Sequence, residues 1–191
     1  MVLKTYSMKG FLVFFCLCIF CIVVKAQEKQ FTKNGKISFY SKAPLEDIEG
    51  RNKSVTCVLD TKTGNLQFSV MMKGFEFRKA LMQQHFNENY VESDKYPKAE
   101  FKGAVINNRD IDYAKEGTYP AKVKGKLTLH GETKEVNAEG TIQVANGRII
   151  ASTDFTLLLS DYKIAIPGIV KDKISNMVKI KVDLSMKPLK G

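Results

Sequence analysis

Ala121-Lys122-Val123-Lys124-Gly125-Lys126-Leu127-Thr128-Leu129 alternates without a break, and its reading decides the fold. Ala121, Val123, Gly125, Leu127 and Leu129 fall on one side of an extended chain, and Lys122, Lys124, Lys126 and Thr128 fall on the other. A period of two marks a strand with one buried face and one wet face. His130-Gly131-Glu132-Thr133 follows. Glycine stands at the first central position of a Gly131-Glu132 loop, which suits a type II′ hairpin. That loop sets Leu127 opposite Val136, Gly125 opposite Ala138 and Val123 opposite Gly140. Asn146-Gly147 is a second hairpin signal, because both residues tolerate positive φ. It sets Val144 opposite Ile149, Ile142 opposite Ala151, Ala138 opposite Phe155 and Val136 opposite Leu157. Two turns, read independently, place one apolar face across three strands. A slip of one residue in either would turn that face to water.

Outward from this meander the same signal recurs. Val55, Cys57 and Leu59 alternate before the Asp60–Gly64 turn, and Leu66, Phe68, Val70 and Met72 alternate after it. Val178, Ile180, Val182, Leu184 and Met186 form a final strand, and Ile37 and Phe39 begin a first one. Eight strands are predicted, over 36–43, 53–60, 65–73, 99–107, 118–130, 133–145, 148–160 and 176–187. Between the third and fourth, Leu81, Met82, His85, Phe86 and Tyr90 are spaced as on a helix, so a short helix is predicted over 79–90. Residues 161–175 read as irregular. No repeat, linker or second domain interrupts the chain.

Eight antiparallel strands with short turns fit an up-and-down barrel or a sandwich, and an even number lets the last strand close on the first. A barrel of this size packs itself full or holds one small ligand. Gly125, Ala138, Gly140 and Ala151 are undersized for an interior and would leave volume unoccupied. The helix or an aromatic ring filling that volume is the alternative. If the volume is for ligand, Gly125→Phe should weaken binding and spare folding. The remaining inferred lining is apolar: Phe39, Phe68, Val70, Met72, Phe101, Leu127, Phe155 and Leu157 on strands. Phe77, Leu81, Met82 and Phe86 are expected as wall or lid, with ordinary helix-to-barrel packing as the alternative. Such walls regain dispersion contacts against a hydrocarbon, which buries its own surface at roughly 25 cal/mol per Å². Lys134 and Arg78 are the candidate headgroup residues: a lysine at a strand end can snorkel to the rim.

Residues 1–26 carry a different message. Lys4 and Lys9 precede an apolar run from Phe11 to Val24, and Val24-Lys25-Ala26 ends it. That order reads as a secretory signal peptide cleaved after Ala26, with a retained anchor as the competing reading. Removal takes three lysines and Cys16, Cys18 and Cys21, lowering the formal charge from +10 to +7 and leaving Cys57 alone. A disulfide within one mature chain is then impossible. The expected location is periplasmic or secreted.

Other chemistry finds little support. The lysines alternate with apolar residues instead of clustering with stacking aromatics, which argues against nucleic acid. A transient contact with a membrane surface stays compatible with the charge. His85 and His130 lack the convergent neighbours of a metal site. Cys57 projects onto the apolar face, where a thiol is inert packing. No nucleophile elbow or phosphate-binding loop is present. The reading is therefore no enzyme and no cofactor.

Four stretches resemble the YceI-like proteins, a lipocalin-like group of secreted bacterial barrels. They are Gly64–Val70; His85-Phe86-Asn87 through Lys95-Tyr96-Pro97-Lys98-Ala99-Glu100-Phe101; Gly125 through Lys134; and Phe155 through Ile164. The resemblance covers nearly the whole mature chain. It implies an eight-stranded lipocalin-like barrel that binds a polyisoprenoid, an isoprenoid quinone or a related amphiphile, without known catalysis. His85-Phe86-Asn87-Glu88 departs from the family's more apolar pair followed by Asp. The alternative function is an accessory or stress-related module with a self-filled barrel and a protein partner.

Overall fold

The computed structural model describes residues 29–189, so the proposed signal peptide lies outside the described residues. The chain forms β1 (Lys29–Lys42), β2 (Asp47–Asp60), β3 (Asn65–Met71), β4 (Lys98–Val105), β5 (Gly117–Leu129), β6 (Glu132–Ala145), β7 (Arg148–Leu158) and β8 (Met177–Pro188). They make one closed antiparallel barrel in sequence order, and β8 returns to β1 through pairs such as Ile37 with Val182 and Phe39 with Ile180. The helical segment is α1 (Ala80–His85), which runs into a π-helical turn over Phe86–Tyr90.

Strands β1 and β2 begin earlier than the apolar pattern predicts. Their first halves bury polar residues, including Gln30, Thr32 and Asn52, and β1 shifts register on either side of Gly35. A bulge there breaks the parity that identifies a strand. Asn52 is tolerated inside because both ends of its amide are engaged. Its Nδ2 donates to the Met71 carbonyl at 3.0 Å, and its Oδ1 accepts from the Ser54 amide at 2.8 Å.

Both meander hairpins form, with corrections. The first loop is His130-Gly131, not Gly131-Glu132. Both residues have positive φ (52° and 78°), the signature of a type I′ turn. Leu129 therefore faces Glu132, Gly125 faces Val136, and Val123 faces Ala138. The expected register is off by two residues, which keeps every side chain on its expected face. The second loop is Asn146-Gly147 as read, with Val144 facing Ile149 and Ile142 facing Ala151. The ladder then stops at Gly140 and Thr153, so the expected pairs Ala138–Phe155 and Val136–Leu157 do not form.

The two ends of the barrel differ. Val55, Cys57, Leu59 and Met186, almost wholly buried, close the end around the β2–β3 and β6–β7 turns. At the other end the β1–β2 turn, α1 and the 159–176 segment surround an opening. Leu45 N donates to the Asp172 carbonyl and Ser175 N to Ser41 Oγ, both at 2.9 Å, which ties the last segment across that end.

Candidate ligand-binding cavity

The inward residues of the strands set the site. Within the barrel lies a cavity of about 520 Å³, inside the roughly 300–1,000 Å³ span of small-molecule sites. Its wall is aliphatic and aromatic for most of its length. Besides the half-buried Tyr90, polar residues reach it in two places. Ser41, Glu46, Lys79, His85 and Lys173 stand at the mouth, and Thr141, Ser152 and Thr153 stand on one side of the wall.

Four rings gather beside the mouth. Phe86, from the π-helical turn, lies 5.0 Å from Phe77, 5.5 Å from Phe75 and 5.4 Å from Phe39, stacking on the last. Gly50 makes room for this cluster, because a Cβ there would sit 2.7 Å from Cζ of Phe39. The π-helical turn has the extra backbone residue that such turns insert, which alters where following side chains point.

The mouth charges are coupled. Lys79 Nζ lies 2.7 Å from Glu46 Oε1. The hydrogen bond from Lys79, with the charges of Lys79 and Lys173 beside it, holds the Glu46 carboxyl below the usual carboxylate range. Exposure screens this pair, so its part in stability is small. His85 and Glu88 do not pair; the Gln84 amide reaches Glu88 instead, at 3.2 and 3.3 Å. Among the described residues no cluster of three or more His, Cys, Asp or Glu side chains could hold a metal.

Phe39, Phe68, Val70, Met72, Phe77, Leu81, Met82, Phe86, Phe101, Leu127, Ala138, Gly140, Phe155 and Leu157 all reach the cavity. Gly125 does not. Its space is taken by the Phe101 ring, whose Cζ lies 2.5 Å from where a Gly125 Cβ would stand. Arg78 and Lys134 are exposed and off the wall. The charge of Arg78 helps hold the Glu49 carboxyl low, after the Arg51 and Tyr40 hydrogen bonds. Lys134 faces Leu127 across the ladder, near a hairpin end. The polar groups at the mouth are instead Glu46, Lys79, His85 and Lys173, and Val170 and Ile174 join them. Most of these lie in turns, where no periodicity marks a direction.

A closed antiparallel barrel around an apolar chamber that is polar at its mouth is a lipocalin-like barrel. The YceI-like domain model matches residues 29–186, and the chain belongs to that family. The fold is shared with a polyisoprenoid-binding domain from Saccharophagus degradans implicated in plant cell wall breakdown. The TM-score is 0.74 at 15% identity, over 85% of this chain and 99% of that one. Burkholderia cenocepacia BcnA gives 0.64 at 20% identity, over 79% of this chain and 95% of its own. A Campylobacter jejuni YCEI protein gives 0.57 at 20% identity, over 74% and 85%. No curated protein matches the chain.

Proposed function

We propose that the protein binds a polyisoprenoid, an isoprenoid quinone or a similar amphiphile, and works as a periplasmic or secreted carrier or sequestering protein. The observation that carries this reading is a hydrocarbon-lined chamber whose charged groups are gathered at its mouth. Filling it with a chain restores the dispersion contacts that an open apolar wall lacks. The tail lies in the barrel, and the polar head stays at the mouth beside Lys79 and Lys173. The polyisoprenoid binding of the Saccharophagus domain, on the same fold, supports that ligand class.

Function here is binding without turnover. The sequence of residues 1–26 supports export. A transient contact with a membrane surface fits the same picture, since Leu45, Leu81 and Ile169 are exposed around the mouth, Ile169 at 93%.

The test is native mass spectrometry and lipid extraction of protein purified from a periplasmic fraction. A co-purifying isoprenoid lipid on a chain beginning at Gln27 is the expected result. Protein that is lipid-free and also takes up no added isoprenoid would overturn the reading, and capture of a protein partner in its place would point to the accessory-module alternative.

A further inference from the structure

The barrel is zipped unevenly. β5 and β6 pair along their whole lengths, from Gly117–Val144 to Leu129–Glu132. β7 and β8 likewise pair from Ile149–Met186 to Leu158–Met177. Between these two panels the β6–β7 ladder holds only from Ala145–Arg148 to Gly140–Thr153. Residues 133–139 and 154–158 then run on without pairing to each other. Nearer the mouth the panels meet again. The turn Leu159–Tyr162 packs back on β6, His130 Nδ1 lies 3.0 Å from the Tyr162 carbonyl, and Lys163 Nζ lies 2.6 Å from Glu132 Oε1. The result is a slit in the side wall, bounded at both ends.

The sequence explains where the zipper stops. The next pair after Gly140–Thr153 would set Glu139 against Asp154 on the outer face, and like charges directly opposite are destabilising. Each acid faces a lysine of its own panel: Glu139 is paired with Lys122, and Asp154 Oδ2 lies 3.3 Å from Lys179 Nζ. Thr153 ends the ladder by donating its hydroxyl to the Glu139 carbonyl at 2.7 Å. The chamber lies directly behind this slit. Val136 and Ala138 on one edge, Phe155 and Leu157 on the other, and the last ladder pair Gly140–Thr153 all line the cavity.

Resting on the binding reading above, we propose that the slit between β6 and β7 is a lateral window through which the hydrocarbon chain of the ligand enters and leaves. Separating the panels there breaks no ladder hydrogen bond. The paired segment ending in Asn146-Gly147 acts as their hinge.

The experiment joins the slit. Asn137 and Thr156 are exposed and would stand opposite each other if the β6–β7 register ran on past Gly140–Thr153, so an Asn137→Cys/Thr156→Cys protein is bridged with a short bis-maleimide. Gln143→Cys/Ile150→Cys, bridged where the ladder is already formed, is the control. Stopped-flow uptake and release of dansyl-undecanoic acid is the readout. Bridging the slit should slow both, with little change in affinity, because closing a gate changes rates and not the bound state, and the control should not. Glu139→Gln removes the repulsion from Asp154 without setting two lysines opposite each other at Lys122. It should slow uptake and add hydrogen-exchange protection within 154–158. Unchanged rates in the bridged protein, or in Glu139→Gln with that protection gained, overturn the window alone. Failure of the unbridged protein to bind the probe overturns the binding reading beneath it.

Discussion

At the scale of single residues, two small side chains show how the interior is apportioned. Gly103 and Gly125 face each other between β4 and β5, and the Phe101 ring lies against both. A Cβ on Gly125 would stand 2.5 Å from the Lys102 carbonyl oxygen and 2.6 Å from Gly103 Cα. Backbone cannot yield as a side chain can. Gly125→Ala should therefore destabilise the fold by about 1–3 kcal/mol, the range for overpacking, read from urea denaturation. Gly125→Phe should compromise folding itself, contrary to the expectation from sequence. Cys57 makes a pH prediction. Burial pushes its thiol from an ordinary value of 9.0 up to about 12. Below pH 9 the thiol is protonated in both the folded and unfolded chain. Above it the unfolded chain ionises first and holds fewer protons, so stability falls as pH climbs toward 12. Burial raises the Tyr113 phenol from 10.0 to about 12, with the same sign. The urea midpoint should drop between neutral and strongly alkaline solution, less steeply in Cys57→Ala.

At the scale of elements, the β5–β6 hairpin is held by its loop as much as by its strands. His130 adopts a left-handed backbone that histidine visits at some cost, roughly 1–2 kcal/mol for a non-glycine residue. The ring offsets that cost. Besides its contact to the Tyr162 carbonyl, Nε2 lies 3.0 Å from Glu92 Oε2, and the ring meets Tyr96 edge-on at 4.7 Å. His130→Ala keeps the backbone cost and loses the anchors, so a loss of about 1–3 kcal/mol is expected. His130→Gly relieves the backbone and should lose less; equal losses in urea denaturation would refute this account. The same hairpin shows what a sequence can reveal. Alternation gives the face of each residue in β5 and β6, because parity survives a register change of two. It does not give the register, because Gly131 satisfies either loop and the choice is made by distant groups on Glu92, Tyr96 and Tyr162. The early halves of β1 and β2 are hidden for another reason: their inward positions include Gln30, Thr32 and Asn52, polar residues that break the apolar alternation, and Asn52 is accommodated by the Met71 carbonyl, on another strand. The mouth residues Glu46, Lys79 and Lys173 were likewise illegible, since turns carry no period.

At the scale of the whole molecule, the chamber links stability to occupancy. A ligand that binds the folded barrel and not the unfolded chain stabilises it by mass action, about 2.7 kcal/mol at a hundredfold excess over Kd. Added isoprenoid should raise the melting temperature in a concentration-dependent way. Ala151→Phe, on the cavity wall and half-buried, inserts a ring into the chamber. It should fold, yet show a reduced ligand-induced shift in the same melting assay; an undiminished shift would place the ligand elsewhere. The wall residues of this chamber were readable because strands convert sequence parity into direction. Its true volume was not, because Phe101 reaches across to occupy the space that Gly125 leaves.

The contrast between the barrel's ends has a practical corollary. Rigidity resides in the floor, where Val55, Cys57, Leu59 and Met186 interlock. The lip is assembled from the 43–46 turn, α1 and the 163–176 loop, which contribute little to that interlock. Grafting a foreign loop at Ile166–Lys171 would thus re-cut the lip of a vessel whose base holds its shape, and the barrel offers itself as a chassis for tailored receptors.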